Sequence, residues 1–157
     1  YRRLCCSDRH EVWQFMARWR QHKEEVGAME LSLDYEGVEE TVLTDKKWLG
    51  FVIGQILSNA LKYTKKGKIS IYMSKARSHT LVIEDTVIGI RQEDLPRVFE
   101  KGFTGYNGRE EGRSTGIGLY LSGKIMKKLD HGIRIESELG KGTRVFLELG
   151  RKKMDLY

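Results

Sequence analysis

Cysteine is nearly absent: of 157 residues only Cys5 and Cys6 are cysteine, and they are adjacent. Neighbouring cysteines cannot easily bridge each other and offer no metal-ligand spacing, so a disulfide framework is excluded and a reducing compartment is the simplest inference. Long apolar runs are missing as well. No stretch approaches the roughly twenty apolar residues that a membrane span needs, and no basic-then-apolar signal segment opens the chain. The sequence lacks Gly-x-x-x-x-Gly-Lys-Ser/Thr and lacks a Gly-x-Gly-x-x-Gly after a strand, which removes the two commonest nucleotide folds. Repeats and low-complexity segments do not occur. No stretch combines dense Lys/Arg with interleaved aromatics, so nucleic acid is the weaker partner for a formal net charge of +6; anionic lipid or a phosphorylated small molecule suits that charge equally well.

What is present fits one domain, 1–157, with a core at about 8–149 and a tail at 150–157, because this length buries one core but not two. The chain opens at Tyr1 rather than Met, and the expectation is a fragment of a longer protein. Residues 8–26 read as a helix: Asp8 and Glu11 form a capping pair, Val12, Phe15, Met16 and Trp19 keep helical spacing, and Gly27 follows. His10, at its start, reads as a surface or capping-turn residue. Leu31, Leu33 and Tyr35 alternate with polar residues as a strand, residues 36–38 turn, and 40–43 form a second short strand. Thr44-Asp45 caps a helix over 46–63, after which Lys65-Lys66-Gly67 turns the chain. Ile69, Ile71 and Met73 pair with the run Leu81-Val82-Ile83 in a hairpin that delivers Glu84-Asp85 to its end. A short helix at 93–99 contains Pro96, the only proline. The glycine-rich, polar segment 101–115 reads as a mobile loop, a helix runs from about 114 to 129, and Ile133-Ile135 with Val145-Leu147-Leu149 closes the chain as a hairpin joined by Gly140-Lys141-Gly142. Paired strands dominate over parallel βαβ alternation. The expected fold is therefore α+β, a two-layer α/β sandwich with a mixed sheet and helices packed on one face.

Three places carry chemistry. On the 46–63 helix, Gln55, Asn59 and Lys62 form a polar stripe opposite the apolar Leu49, Val52, Ile53, Ile56 and Ala60. An amide oxygen is a neutral ligand for Mg²⁺ and a Lys one turn on suits phosphate, although most amphipathic helices show some polar stripe. Asp85 ends a buried-looking strand, where its carboxylate accepts either from a backbone N–H of the turn or from a ligand amine such as that of adenine. Gly89 follows closely enough to let flat ligand atoms approach the backbone. Gly116-Ile117-Gly118 stands at a helix N-terminus, which points free N–H groups at an anion; helix entry alone also explains two glycines.

Jointly these stretches resemble a family. Asn59 within QILSNALKYT, Asp85 and Gly89 within IEDTVIGI, Phe99 within VFEKGF, Gly116 and Gly118 within STGIGLYL, and Thr143 within GKGT look like the asparagine, glycine and phenylalanine boxes of the Bergerat-fold ATP-binding domain of sensor histidine kinases. TDKKWL and VFEKGFTGYNGR further resemble the short, membrane-anchored kinases that sense peptide antibiotics. The resemblance implies ATP and Mg²⁺ as cofactors, with Asn59 as metal ligand, Lys62 near the phosphates, Tyr63 beside the nucleotide, Asp85 on the adenine amine, and Gly116 and Gly118 under the phosphates. Ile90, Thr115, Ile117 and Leu119, within the same motifs, line the nucleotide site, and Thr143 assists the adenine contact through water. The loop becomes an ATP lid with Lys101, Arg109 and Arg113 as phosphate partners, each of which is otherwise a solvated charge.

Two departures bear on function. Family members usually carry Asp-x-Gly-x-Gly, whereas this chain has Val87 at the middle position, a β-branched residue that does not readily take positive φ; weakened nucleotide binding is expected. At Gln55 the hydrolysing relatives carry Glu as a general base, and an amide cannot accept a proton at neutral pH, so transfer to an acceptor is expected rather than hydrolysis. The family's acceptor His precedes an acidic residue and then a Pro, and no Pro follows His10-Glu11 before Pro96, so the acceptor is expected on dimerisation helices outside the chain. The reading implied is the cytoplasmic ATP-binding catalytic domain of a bacterial plasma-membrane histidine kinase, homodimeric in the parent, with a response regulator downstream. A related ATPase and a nucleotide-silent interaction module are the alternatives.

Overall fold

Alternating apolar residues build the sheet. The computed structural model describes residues 8–11, 31–35, 41–63, 67–86, 89–90, 92–101 and 118–150. Strands β1 (Asp8–Glu11), β2 (Leu31–Tyr35) and β3 (Thr41–Thr44) precede helix α1 (Lys46–Tyr63). After it come the hairpin β4 (Gly67–Met73) and β5 (Thr80–Asp85), helix α2 (Gly118–Lys128), and the hairpin β6 (Gly132–Glu138) and β7 (Gly142–Glu148). The main sheet runs in the order β2-β4-β5-β7-β6, with β2 parallel to β4 and every other pair antiparallel. One parallel pair in an otherwise antiparallel sheet makes it mixed, as expected.

Register decides which side chains share a face. Ile71 stands opposite Ile83, which stands opposite Val145, which stands opposite Ile135. Because side chains alternate along a strand, Ile69, Ile71, Leu81, Ile83, Val145 and Leu147 fall on one face, and all are buried. Leu49, Val52, Ile53, Ile56 and Leu57 of α1, three and four residues apart, join them in one core with Ile125 and Met126 of α2. Each such side chain contributes about 1.5–3 kcal/mol by leaving water. The opposite face of the sheet is held by polar contacts: Tyr72 donates to Glu84 at 2.7 Å, Arg144 pairs with Glu84 at 3.5 Å, and the Arg134 guanidinium lies 4.2 Å from the centre of the Phe146 ring.

The helix ends follow from local chemistry. Asp45 accepts from the Trp48 N–H at 3.2 Å and so caps α1, whose bounds are those expected. α2 ends where Asp130 takes φ 63°, while His131 N–H donates to Met126 at 2.8 Å and Asp130 N–H to Lys127 at 3.1 Å. That pair of bonds is the Schellman arrangement, with Asp in the left-handed position usually given to Gly. His131 is then buried and meets Thr44 Oγ1 at 3.0 Å, tying the end of α2 to β3.

Two expectations are corrected. Asp8–Glu11 is a strand, not a helix start: it pairs antiparallel with β3, His10 opposite Val42. An Asp-x-x-Glu pair signals a cap only when the backbone is free to coil, and here the ladder partners offered by β3 win; residues 12–26 lie outside the described residues. At 93–99 only a 3₁₀ turn forms, Leu95–Arg97, with i→i+3 bonds from Arg97 N–H to Asp94 at 2.9 Å and from Glu100 N–H to Arg97 at 2.9 Å. Pro96 lacks the N–H that a longer α-helix would use. The expected turns at 36–38 and 65–66, most of the 101–115 loop and the tail also lie outside the described residues.

Candidate functional site

Gln55 and Asn59 stand half-buried on α1, one turn apart, off the face that enters the core. Lys62 and Tyr63 occupy the last turn of the same helix, and their side chains lie outside the described atoms. Gln55 reaches α2: a Cβ at Gly118 would overlap Gln55 Oε1, so the amide occupies the space that the missing side chain leaves and a larger residue there would displace it. The amide therefore sits against the first residue of α2, where backbone N–H groups lack helical partners. Nothing in the spacing of the sequence signals this contact, because it joins residues far apart in the chain.

A second group forms at one end of the sheet. Asp85 of β5 stands opposite Thr143 of β7, which stands opposite Ser137 of β6. Asp85 and Ser137 follow Ile83 and Ile135 by two residues, and Thr143 precedes Val145 by two on the antiparallel strand, so by pleat alternation the three lie on the helix-covered face just past the core. Gly142, at φ 123°, makes the approach possible, since a Cβ there would overlap the Asp85 carbonyl oxygen and come within 2.9 Å of Thr86 Cα. Ser137 was not foreseen, and it is the hub. Its Oγ accepts from the Ile90 N–H at 2.6 Å and lies 2.9 Å from both Gly142 O and Thr143 Oγ1, while its carbonyl accepts from Gln92 Nε2 at 2.8 Å. These bonds stitch the segment after β5 onto the β6–β7 turn. Gly89, at φ 75°, belongs to the same seam: the space its missing side chain leaves is taken by the carbonyl of Glu138. A cavity of about 270 Å³ opens at this end of the sheet, lined by Asp85, Ser137, Gly142 and Thr143 together with Glu84 and Arg144 of the opposite face.

The remaining predicted residues divide. Ile90 contributes its backbone N–H to Ser137, and Leu119 packs against the core beside Gln55's partner Gly118. Phe99 lies against Gly123 of α2, whose added Cβ would come 3.4 Å from the ring. Lys101 is exposed in a turn. Thr115, Gly116 and Ile117, with Val87, Arg109 and Arg113, lie outside the described residues.

The donor set fits the expected cofactors. Asp85 and Thr143, side by side, present oxygen acceptors suited to an amine, and the α2 N-terminus beside Gln55 suits an anion. Among the described residues no cluster of three His, Cys, Asp or Glu could hold a metal by itself, so a divalent ion at Asn59 would take most of its oxygens from phosphates and water. No described helix is long and apolar enough to cross a membrane.

Residues 44–153 match the family of histidine kinase-, DNA gyrase B- and HSP90-like ATPases. The sensor protein kinase GraS of Staphylococcus aureus (strain MRSA252) is 39% identical over 127 residues, covering 80% of this chain and 36% of GraS. The chain thus spans about a third of the length of the curated relatives it matches. Among solved structures, a mycobacterial sensor histidine kinase, MprB, superposes with TM-score 0.74 at 20% identity, covering 92% of this chain and 98% of that one. Full-length ShkA in complex with AMPPNP superposes with TM-score 0.73 at 17% identity, covering 91% and 31% respectively. At these identities the structural likeness bears on the fold, and the sandwich matches the architecture expected.

Proposed function

The chain belongs to the family of histidine kinase-, DNA gyrase B- and HSP90-like ATPases, and on that premise we propose that it is the ATP-binding catalytic domain of a two-component sensor histidine kinase. The observation that carries the reading is the placement of Asp85 beside Thr143 at one end of the sheet, within a domain of this family. In this reading Asp85 accepts from the adenine amine, with Thr143 assisting through water. Asn59 supplies a neutral oxygen to Mg²⁺, Lys62 draws the phosphates, and Gly116 and Gly118 let them approach the α2 N-terminus. Bound ATP supplies the phosphoryl group, and the protein's part in such transfer is positioning and charge neutralisation.

Gln55 favours transfer over hydrolysis. Its amide holds no basic lone pair with which to take a proton from water, and its position against Gly118 puts it at the anion end of the site. The acceptor is a histidine on dimerisation helices outside this chain, the parent is a homodimer anchored in a bacterial plasma membrane, and a response regulator receives the phosphate. Similarity to GraS, a sensor protein kinase, supports the reading as part of such a kinase.

Calorimetric titration of the chain with a non-hydrolysable ATP analogue tests the reading. Binding that requires Mg²⁺ and is lost in Asn59→Ala is expected. Absence of any Mg²⁺-dependent heat at millimolar analogue overturns it.

A further inference from the structure

Strand register and helix packing fix which charged segments meet at each end of the domain. β5 runs from Thr80 to Asp85, so the turn before Thr80 lies at the end away from the candidate site, where Thr80 stands opposite Glu148 and Glu148 opposite Gly132. α2 finishes there too, because its last residue, Lys128, comes four residues before Gly132. α1 starts there: Thr44, two residues ahead of it, meets His131 Nε2 at 3.0 Å, and the helix runs on from Lys46 until Gln55 reaches Gly118 at the far end of α2. The two helices are therefore antiparallel. The start of α1, the β4–β5 turn and the end of α2 share one pole.

Those three segments carry six exposed cations: Lys46 and Lys47, Lys75 and Arg77, and Lys127 and Lys128. The acids at the same end are Asp45, which caps α1, Glu148, which pairs with Arg77 at 3.3 Å, and Asp130. The cavity at the other end has the reverse balance, with four carboxylates against two cations in its lining. Helix stability accounts for only part of the basic pole. Lys127 and Lys128, in the last turn of α2, suit its partial negative charge, but Lys46 and Lys47 occupy the first turn of α1, which holds no acid and where a cation meets the positive end of the helix dipole. Lysines that work against their own helix point to an anion outside the domain.

Five of the six cations are lysine, a compact point charge without the fork that reads a particular carboxylate or phosphate geometry. Beside them Trp48 offers a single half-buried ring, with Lys47 Nζ 5.6 Å from its centre and Phe51 edge-on at 6.5 Å. Single-stranded nucleic acid takes a groove with several stacking aromatics, whereas a bilayer surface takes diffuse cations and an amphipathic ring at headgroup level. We propose that this pole is a docking surface for an anionic phospholipid bilayer, with the nucleotide end of the domain turned away from it. Anchoring of the parent in a plasma membrane, as proposed above, brings such a surface within reach, so a weak contact suffices. The contact itself rests on neither that anchor nor the ATP reading.

The test is co-sedimentation of the chain with vesicles of phosphatidylglycerol mixed into phosphatidylcholine, against phosphatidylcholine alone. Binding to the mixed vesicles only, weakening as salt is raised, is expected. Each lysine at such a surface is worth about fivefold in partitioning, so the set Lys46→Gln, Lys75→Gln and Lys127→Gln should lower binding at least tenfold. Lys68→Gln, Lys141→Gln and Arg144→Gln remove the same formal charge from the other end and should leave binding within about threefold of wild type, because charges beyond a Debye length are screened. All six side chains are exposed, and circular dichroism checks that both sets fold. Lys75→Glu with Lys127→Glu carries the same expectation should the first set unfold the chain. A wild type that ignores the mixed vesicles at low salt overturns the proposal, as do equal losses in the two sets, which reduce the effect to net charge. A DNA duplex that displaces the chain from the vesicles at equal phosphate concentration overturns lipid as the partner. Each of these results leaves the ATP reading standing.

Discussion

Replacing Gly142 by alanine strikes the site and the fold together, and Gly140→Ala, in the same β6–β7 turn, supplies the comparison. Both glycines have positive φ, 123° at Gly142 and 84° at Gly140, so each alanine suffers backbone strain of about 1–3 kcal/mol. Their surroundings differ. Around Gly140 a new Cβ meets nothing within 4 Å, whereas at Gly142 it overlaps the Asp85 carbonyl oxygen and lies 2.9 Å from Thr86 Cα. Those obstacles are backbone atoms at and just beyond the end of the paired strand β5, so no rotamer change relieves them, and the end of the β5–β7 ladder has to open. Gly140→Ala is expected to lower stability by about 1–2 kcal/mol, and Gly142→Ala by more than about 3 kcal/mol, because ladder bonds are lost in addition to strain. For a domain of this size 1 kcal/mol shifts Tm by roughly 2–4 °C, so thermal unfolding followed by circular dichroism separates the two. Nucleotide affinity is expected to fall in Gly142→Ala and to hold in Gly140→Ala, since only the former moves Asp85 away from Thr143. Equal Tm losses in the two variants would refute the argument that backbone contact, rather than φ alone, requires glycine at 142.

Two further outcomes follow from contacts between distant segments. Gly118→Ala pushes on Gln55 Oε1, the far end of a flexible side chain, so its destabilisation is expected to be relieved largely in a Gln55→Ala background; a double-mutant cycle by urea unfolding should return a coupling of about 0.5–3 kcal/mol, and strict additivity would remove the contact from consideration. Thr44→Val leaves His131 Nε2 buried without its hydroxyl partner and is expected to lower stability by about 1–3 kcal/mol, read as a shift of the urea midpoint at constant slope, with an unshifted midpoint as the contrary result.

Much of the architecture is legible along the chain. The period-2 pattern of Ile69, Ile71 and Met73 and the helical spacing of Leu49, Val52, Ile53 and Ile56 each lie within a few residues, where local geometry alone sets which face a side chain takes. Asp45 as a cap and glycines at 140 and 142 as a hairpin turn are equally local. The motifs around Asn59, Asp85, Gly118 and Thr143 were legible for another reason, their joint order. Where local signals misled, a distant strand was responsible: Asp8 and Glu11 carry a helix-start pattern, yet β3 captures their backbone, and Pro96 shortened a helix that its neighbours suggested.

The sequence by itself determined the elements, their order and the residue types available for chemistry, because periodicity, capping and turn chemistry act within one or two turns of the chain. Tertiary structure alone decided which of those residues meet. That Gln55 fills the space left at Gly118, that the Glu138 carbonyl takes the space left at Gly89, and that Ser137 meets both the Ile90 N–H and the Thr143 hydroxyl all depend on strand register and helix approach. Those are set by how the whole core packs, and no spacing along the chain encodes them.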